Sequence, residues 1–109
     1  TSKLMAERLN LGAENWSVSF QSRFGREEWV KPYTEPHLEE LAERGVKRVV
    51  VFCPSFVADC LETLEEIGLQ AAEHFRKCGG EELILVPSLN DNPEWIKSLS
   101  SIIRKQLSR

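Results

Sequence analysis

Short apolar runs alternate with amphipathic segments along the chain. Strands are predicted over residues 46–53 (VKRVVVFC) and 82–87 (ELILVP), where apolar residues cluster between turn-forming ones. A further strand is predicted over residues 16–21 (WSVSFQ), which combine aromatic and β-branched residues with alternating polarity. The unbroken apolar run at residues 49–52 is typical of a strand buried on both faces, as in a parallel sheet.

Four amphipathic segments predict helices around these strands. Their predicted limits are residues 1–10, Thr34 as N-cap to Gly45, Asp59 as N-cap to about Lys77 before Gly79 and Gly80, and Asn90 or Asp91 to the end. The order α-β-α-β-α-β-α predicts an α/β fold, a Rossmann-like parallel sheet with helices on both faces. Because such a domain usually opens with a strand, we expect one more strand upstream of residue 1.

Composition limits the classes of protein to consider. With 109 residues, 41% of them hydrophobic and 28% charged, the chain is expected to form most of one domain over residues 1–109. A net charge of −3 argues against a nucleic-acid partner. No apolar run reaches the length of about 20 residues that a membrane span requires. Three cysteines without metal-finger spacing are interpreted as reduced thiols of a cytoplasmic protein.

Acidic residues are concentrated in DCLETLEEIG, residues 59–68, directly after the clearest strand. Ligands of parallel α/β folds bind beyond the carboxyl ends of strands, so this segment and QSRFGREEW at residues 21–29 are the candidate site. Glu62 and Glu66 are four residues apart and share one helix face, where a like charge should raise one of their pKa values. A solvated acidic face is the competing interpretation, and Asp59 fits a plain N-cap.

Several blocks of the sequence resemble ferrochelatase, in particular the C-terminal part of the bacterial form. The resemblance is carried, in order and over nearly the whole chain, by QSRFGREEWVKPYT, GVKRVVVFCPSFVADCLETLEEIG, CGGEELILVPSLNDNP and the closing helix. It implies a chelatase-like fold of two similar α/β domains around a porphyrin cleft. It also implies an enzyme that inserts ferrous iron into a porphyrin during haem synthesis.

The resemblance further implies roles for individual residues. Glu62 corresponds to the active-site glutamate, and Glu66 follows it in a path for metal or protons. Carboxylates suit both tasks, because they bind ferrous iron and accept protons. Glu62 and Asp59 are the implied metal ligands. The residues implied to wall or bind the porphyrin are Phe24, Trp29, Ser22 and Arg23.

The residues alone leave other interpretations open. Trp29 could be a core aromatic and Arg23 a solvated surface charge. Trp16 and Trp95 are predicted to lie in the core, because both are on periodic segments. Cys53 and Cys60 are more simply buried structural thiols.

The family's essential histidine is expected on a strand upstream of residue 1, and neither His37 nor His74 matches it. We therefore expect this chain alone to be inactive and to need the N-terminal half of the enzyme. No tightly bound cofactor and no iron–sulfur cluster are expected, with Fe²⁺ as substrate. Peripheral membrane association and a homodimer remain open. The alternative is a truncated or stand-alone porphyrin-binding or interaction domain without catalysis.

Overall fold

The computed structural model describes residues 1–21, 28 and 30–109. Its regular elements in chain order are α1 (Ser2–Arg8), a 3₁₀ turn (Ala13–Asn15), α2 (Thr34–Glu43), β1 (Arg48–Val51), a π-helix (Glu62–Ala71), α3 (Ala72–Lys77), β2 (Glu82–Leu85) and α4 (Pro93–Leu107). The α/β class is therefore confirmed, whereas the described residues contain two of the three strands in the predicted order.

The sheet described consists of β1 and β2, paired in parallel with Val49 opposite Leu83 and Val51 opposite Leu85. These four side chains face the helices and are buried or half-buried. The alternate positions point the other way, and Val50 is 67% exposed. The parallel pairing is thus confirmed. The prediction that run 49–52 is buried on both faces is wrong for this chain, because no described element covers the second face.

The core lies between the covered face of the sheet and three helical segments. Leu38 and Ala42 of α2 pack with Ile67 of the π-helix, Phe75 of α3 and Leu83 of β2. Phe75 has no exposed surface, so it is the apolar residue around which the other groups are arranged. Burial of an aromatic side chain contributes on the order of 2–3 kcal/mol.

The predicted strand over residues 16–21 is reduced to an isolated parallel bridge between Phe20 and Tyr33. The N–H of Phe20 donates to the carbonyl of Pro32 at 2.8 Å, and the N–H of Thr34 donates to the carbonyl of Phe20 at 3.1 Å. Thr34 is the first residue of α2 rather than its N-cap. Its buried hydroxyl lies 3.0 Å from Ser19 Oγ, so it joins the extended segment to α2.

The third predicted helix exists over the expected length, but its first ten residues are wound as a π-helix, Glu62–Ala71, before α3 continues to Lys77. The most buried positions are Thr63, Ile67 and Ala72, which are spaced by four and five residues. This spacing matches hydrogen bonds of the i→i+5 type. Of the large aliphatic residues in this segment, Ile67 is buried, whereas Leu61, Leu64 and Leu69 are exposed.

The helix ends follow the glycine signals but not every predicted cap. Gly45 and Gly79 adopt positive φ angles of 87° and 108° shortly after α2 and α3, as C-terminal glycines do. The cap of α4 is Asn92, neither Asn90 nor Asp91, because its Oδ1 accepts the N–H of Glu94 at 3.0 Å.

Helix α4 is amphipathic, yet none of its residues is buried. Trp95 and Trp16, predicted to be core residues, are half-buried. Within the described part of the chain, no helix has both the length and the apolar character needed to cross a membrane.

Candidate active site

The loops that follow β1 and β2 meet at the carboxyl edge of the sheet. The N–H of Val86 donates to the carbonyl of Val51 at 2.9 Å, which extends the pairing one step beyond the strands. Further out, the N–H of Asn90 donates to the carbonyl of Val57 at 2.8 Å. These bonds hold residues 52–61 against residues 86–92. The acidic segment therefore begins where ligands of parallel α/β sheets bind.

Asp59 joins these two loops. Its Oδ2 accepts Asn90 Nδ2 at 3.0 Å, and its Oδ1 accepts the hydroxyl of Thr63 at 2.9 Å. The N–H of Ser88 lies 3.3 Å from both carboxylate oxygens. The bond from Asn90 contributes most to lowering the pKa of Asp59, against an opposing effect of burial. The prediction that Asp59 is the N-cap is wrong, because the helix begins at Glu62 and the donors to Asp59 are Thr63 Oγ, the Ser88 N–H and Asn90 Nδ2. Asp59 instead ties together the two loops.

Thr63 organises the start of the π-helix from a position only 1% exposed. Its hydroxyl oxygen accepts the N–H of Cys60 at 3.0 Å, while the same hydroxyl donates to Asp59. The reciprocal bond runs from the N–H of Thr63 to the carbonyl of Cys60 at 3.2 Å. A side chain that accepts the N–H three residues earlier resembles one half of a capping box. These hydrogen bonds fix the direction in which the π-helix leaves the edge of the sheet.

Glu62 and Glu66 both lie on the π-helix and are half-buried. A hydrogen bond from the Cys60 side chain, and then the N–H of Glu62 itself, hold the pKa of Glu62 below its ordinary value of 4.5. The expectation that a like charge raises a pKa is therefore not met at Glu62. Glu66 Oε2 accepts Gln21 Nε2 at 3.3 Å. No signal in the sequence selects Gln21 as a partner of this carboxylate.

The porphyrin-wall predictions, Phe24, Trp29, Ser22 and Arg23, lie outside the described residues. Their neighbour Gln21 is described, and its contact with Glu66 brings the start of that segment to the π-helix. A surface depression of about 500 Å³ lies along residues 31–40, lined by Pro32, Tyr33 and His37 among others. It does not include Glu62 or Glu66, and we therefore assign it no part in the candidate site.

The histidines and cysteines occupy different surroundings. His37 Nε2 lies 2.7 Å from Ser17 Oγ on the surface. His74 is half-buried on α3, facing α2, and contacts Glu39. All three cysteines are free thiols. Burial, followed by the nearby charge of Asp59, raises the pKa of the Cys53 thiol, as expected of an unreactive structural cysteine.

The sequence matches known proteins over nearly its whole length. The family model described as Ferrochelatase matches residues 1–107. A ferrochelatase of Pseudomonas fluorescens strain Pf0-1 is 58% identical over 105 residues, which are 96% of this chain and 31% of the relative. A ferrochelatase of Legionella pneumophila strain Corby is 54% identical over 107 residues, which are 98% of this chain and 32% of the relative.

These matches place the chain in the ferrochelatase family, which is a family of enzymes. The resemblance inferred from the sequence blocks is thereby confirmed. The chain spans about a third of the length of the curated relatives it matches.

Proposed function

We propose that this chain supplies the carboxylate side of a ferrochelatase active site, which inserts Fe²⁺ into a porphyrin during haem synthesis. The observation that carries the proposal is the position of Glu62. It is the first residue of the π-helix, at the carboxyl edge of the sheet, where its half-buried carboxylate is ionised at neutral pH like that of any glutamate with an ordinary or lowered pKa. An ionised carboxylate at a sheet edge attracts a divalent cation and offers it oxygen ligands.

The reaction requires that one Fe²⁺ enters the macrocycle while two pyrrole protons leave. Glu62 would receive the cation or a pyrrole proton. Glu66 lies one turn further along the same helix and would transfer that cation or proton between the site and solvent. Leu61 beside Glu62 is 70% exposed, which fits an apolar partner of the size of a porphyrin or of another part of the enzyme. Phe24, Trp29, Ser22 and Arg23 are proposed to hold the macrocycle on the strength of the resemblance.

Asp59 remains a proposed metal ligand together with Glu62. Its hydrogen bonds to Thr63, Ser88 and Asn90 favour a positioning role, in which it aims the start of the π-helix. A cation would have to compete with these donors for the same two oxygens.

The catalytic histidine and the opposite wall of the cleft are proposed to come from the N-terminal half of the enzyme. Catalysis needs reacting groups held on both sides of the reacting centre, so the isolated chain is proposed to be inactive. We propose a lyase that needs no tightly bound cofactor or iron–sulfur cluster. Its free thiols support a cytoplasmic location. No particular contact among the described residues supports peripheral membrane association or a homodimer, and family membership does not favour the non-catalytic alternative.

The test is metal insertion by the natural full-length protein that contains residues 1–109, followed in the porphyrin absorption spectrum with Fe²⁺ or Zn²⁺. We expect Glu62→Gln to reduce the rate by about 100-fold or more, the range for loss of a positioned acid–base group. We expect a smaller loss for Glu66→Gln. The matched control is Glu65→Gln, because Glu65 lies on the same helix but is exposed.

Full activity in Glu62→Gln would refute the assignment of that residue. A separate assay of the 109-residue chain alone tests the proposed division of the site. Insertion faster than the buffer control, and lost in Glu62→Gln, would show that these residues form a complete site without the other half.

A further inference from the structure

A group of three different metal-binding side chains converges between α2 and the end of α3. It lies away from the carboxylate edge, which is the part of the carboxyl edge of the sheet that carries Glu62 and Glu66. His74 Nε2 lies 2.9 Å from Glu39 Oε1 and 3.7 Å from Cys78 Sγ. The three donor atoms all lie within 4.8 Å of one another. One nitrogen, one sulfur and one oxygen donor therefore face a common point.

The local fold explains why these residues meet. His74 and Cys78 are four residues apart, at the end of α3 and on its C-cap, so their side chains share one face. Glu39 is on α2, which packs against α3 through the core. The His74 side chain is 26% exposed and that of Glu39 is 47% exposed, so the group is partly shielded but open to solvent on one side.

The second nitrogen of the His74 ring also faces a carboxylate. Nδ1 lies 3.5 Å from Glu35 Oε1, one turn before Glu39 on α2. Metal-binding histidines usually donate their other ring N–H to a carboxylate or carbonyl, which fixes the tautomer and leaves the first nitrogen for the metal. Glu35 lies a few tenths of an ångström beyond hydrogen-bond distance, and a small approach of its carboxylate would let it accept the Nδ1–H and leave Nε2 available.

We propose that Glu39, His74 and Cys78 form a binding site for a divalent transition-metal ion of the Zn²⁺ class, with a water molecule as fourth ligand. Mixed nitrogen, sulfur and oxygen donors suit Zn²⁺ and Co²⁺. Tetrahedral zinc with bonds of about 2.0 Å to nitrogen and 2.3 Å to sulfur separates those two atoms by about 3.5 Å. The observed separation of 3.7 Å is within about 0.2 Å of this value.

The largest adjustment that the printed distances require for such an ion is at the contact between Glu39 and His74. The carboxylate oxygen must retreat from 2.9 Å to about 3.3 Å from the nitrogen, and Glu39 is exposed enough to do so. A metal-bound cysteine is a thiolate and a ligating ring nitrogen carries no proton, so binding releases protons and affinity rises with pH. The ion would clamp α3 to α2.

This site is independent of the proposed function. None of its residues belongs to the carboxylate edge at Glu62 and Glu66. Failure of one proposal leaves the other intact, provided that the experiment separates the two metal-binding regions. The cysteines make this possible, because Cys78 is in the new site and Cys60 adjoins Glu62.

The experiment titrates the natural full-length protein with Co²⁺ under reducing conditions and follows the thiolate-to-cobalt charge-transfer absorption. We expect the band in the wild type, in Cys60→Ser and in Cys53→Ser, and its loss in Cys78→Ser. Competition with Zn²⁺ then gives affinities. We expect His74→Gln to weaken Zn²⁺ binding by at least about tenfold, and Glu35→Gln by about 10-fold or more, as for outer partners of ligating histidines. Glu43→Gln, an exposed site on α2, is the matched control.

Circular dichroism confirms that each variant is folded. If Cys78→Ser does not fold, the His74→Gln and Glu35→Gln affinities decide the question alone. A wild type without the band overturns the proposal and leaves His74 as an ordinary ion-pair partner of Glu39. A band that disappears in Cys60→Ser and persists in Cys78→Ser also overturns it, because the ion would then lie at the carboxylate edge.

Discussion

Asp59 and Asn90 bind each other through two hydrogen bonds, although they lie on different loops. The N–H of Asp59 donates to Asn90 Oδ1 at 2.8 Å, and Asn90 Nδ2 donates to Asp59 Oδ2 at 3.0 Å. Asn90 has a φ of 50°, a left-handed conformation that asparagine tolerates better than most residues. This pair couples the loop after β2 to the start of the π-helix, and so to the position of Glu62.

The first prediction concerns acid stability. The pKa of Asp59 is lowered from its ordinary value of 3.8, chiefly by Asn90, so its ionised form stabilises the fold. That contribution is complete above about pH 3.8 and is lost as the pH falls through the lower folded-state pKa. Asp59→Asn should therefore be less stable than the wild type at neutral pH, and the gap should narrow in acid.

Urea unfolding between about pH 6 and pH 3 measures this difference. Asp91→Asn removes a neighbouring charge without breaking the pair and serves as control for net charge. A stability gap that stays constant over the whole range would contradict the role given to the carboxylate.

The second prediction concerns Thr63. Thr63→Val keeps the shape of the side chain but removes a hydroxyl that accepts the N–H of Cys60 and donates to Asp59. Because these groups lose a buried partner, the variant should lose about 1–3 kcal/mol in the free energy of unfolding. Thr63→Ser retains the hydroxyl and should lose less. Equal losses in the two variants would assign the effect to packing instead.

The third prediction concerns the contact between Gly80 and the ring of Phe75. A Cβ at residue 80 would overlap that ring, and the N–H of Gly80 also donates to the Phe75 carbonyl at 2.9 Å. Gly80→Ala should therefore cost about 1–3 kcal/mol in the free energy of unfolding, the usual cost of overpacking.

Phe75→Leu tests the mechanism in a double-mutant cycle, because it shortens the side chain that the new methyl group meets. We expect the Gly80→Ala cost to be smaller when it is combined with Phe75→Leu than in the wild type, with a measurable interaction energy. Additive effects, measured by denaturant unfolding, would mean that the ring is not what excludes a side chain at position 80.

The fourth prediction concerns Gln21 and rests on the proposed function. Its amide donates to Glu66, so Gln21→Ala should disturb the orientation of that carboxylate without removing its charge. We expect a roughly two- to tenfold lower rate of metal insertion in the full-length protein, the kinetic equivalent of one hydrogen bond. Gln21→Glu places a like charge beside Glu66 and should reduce the rate further. Unchanged rates in both variants would separate Gln21 from the site.

Local signals in the sequence were sufficient for much of the fold. Gly45 and Gly79 mark helix ends because few other residues adopt positive φ without strain. The β1 and β2 segments were predicted a few residues too long, and the Trp16–Gln21 segment was not a strand. Its alternating pattern favours extended backbone, but a strand also needs a neighbour to pair with, and residue patterns do not identify that neighbour.

Less of the candidate site than of the fold could be predicted from the sequence. The acidic segment was selected correctly as lying at the carboxyl edge, but the π-helix was not foreseen, because its spacing of four and five differs from the α-helical template by one residue per turn. Long-range partners such as Asn90 for Asp59, Gln21 for Glu66 and Glu39 for His74 depend on the packing of separate elements. The periodicity of a single segment carries no information about such partners, which lie on other segments.

The arrangement of the core also determines the order in which parts of the chain open. The unit from β1 through the π-helix and α3 to β2 shares Phe75 and Ile67 as common packing centres, whereas α4 buries no residue. In native-state hydrogen exchange, amides of β1, β2 and α3 should exchange only through global unfolding, while those of α4 should exchange by local fraying. The strand–helix–strand unit would then behave as one cooperative foldon, and α4 as a separate segment whose protection rises only when another surface covers its apolar side.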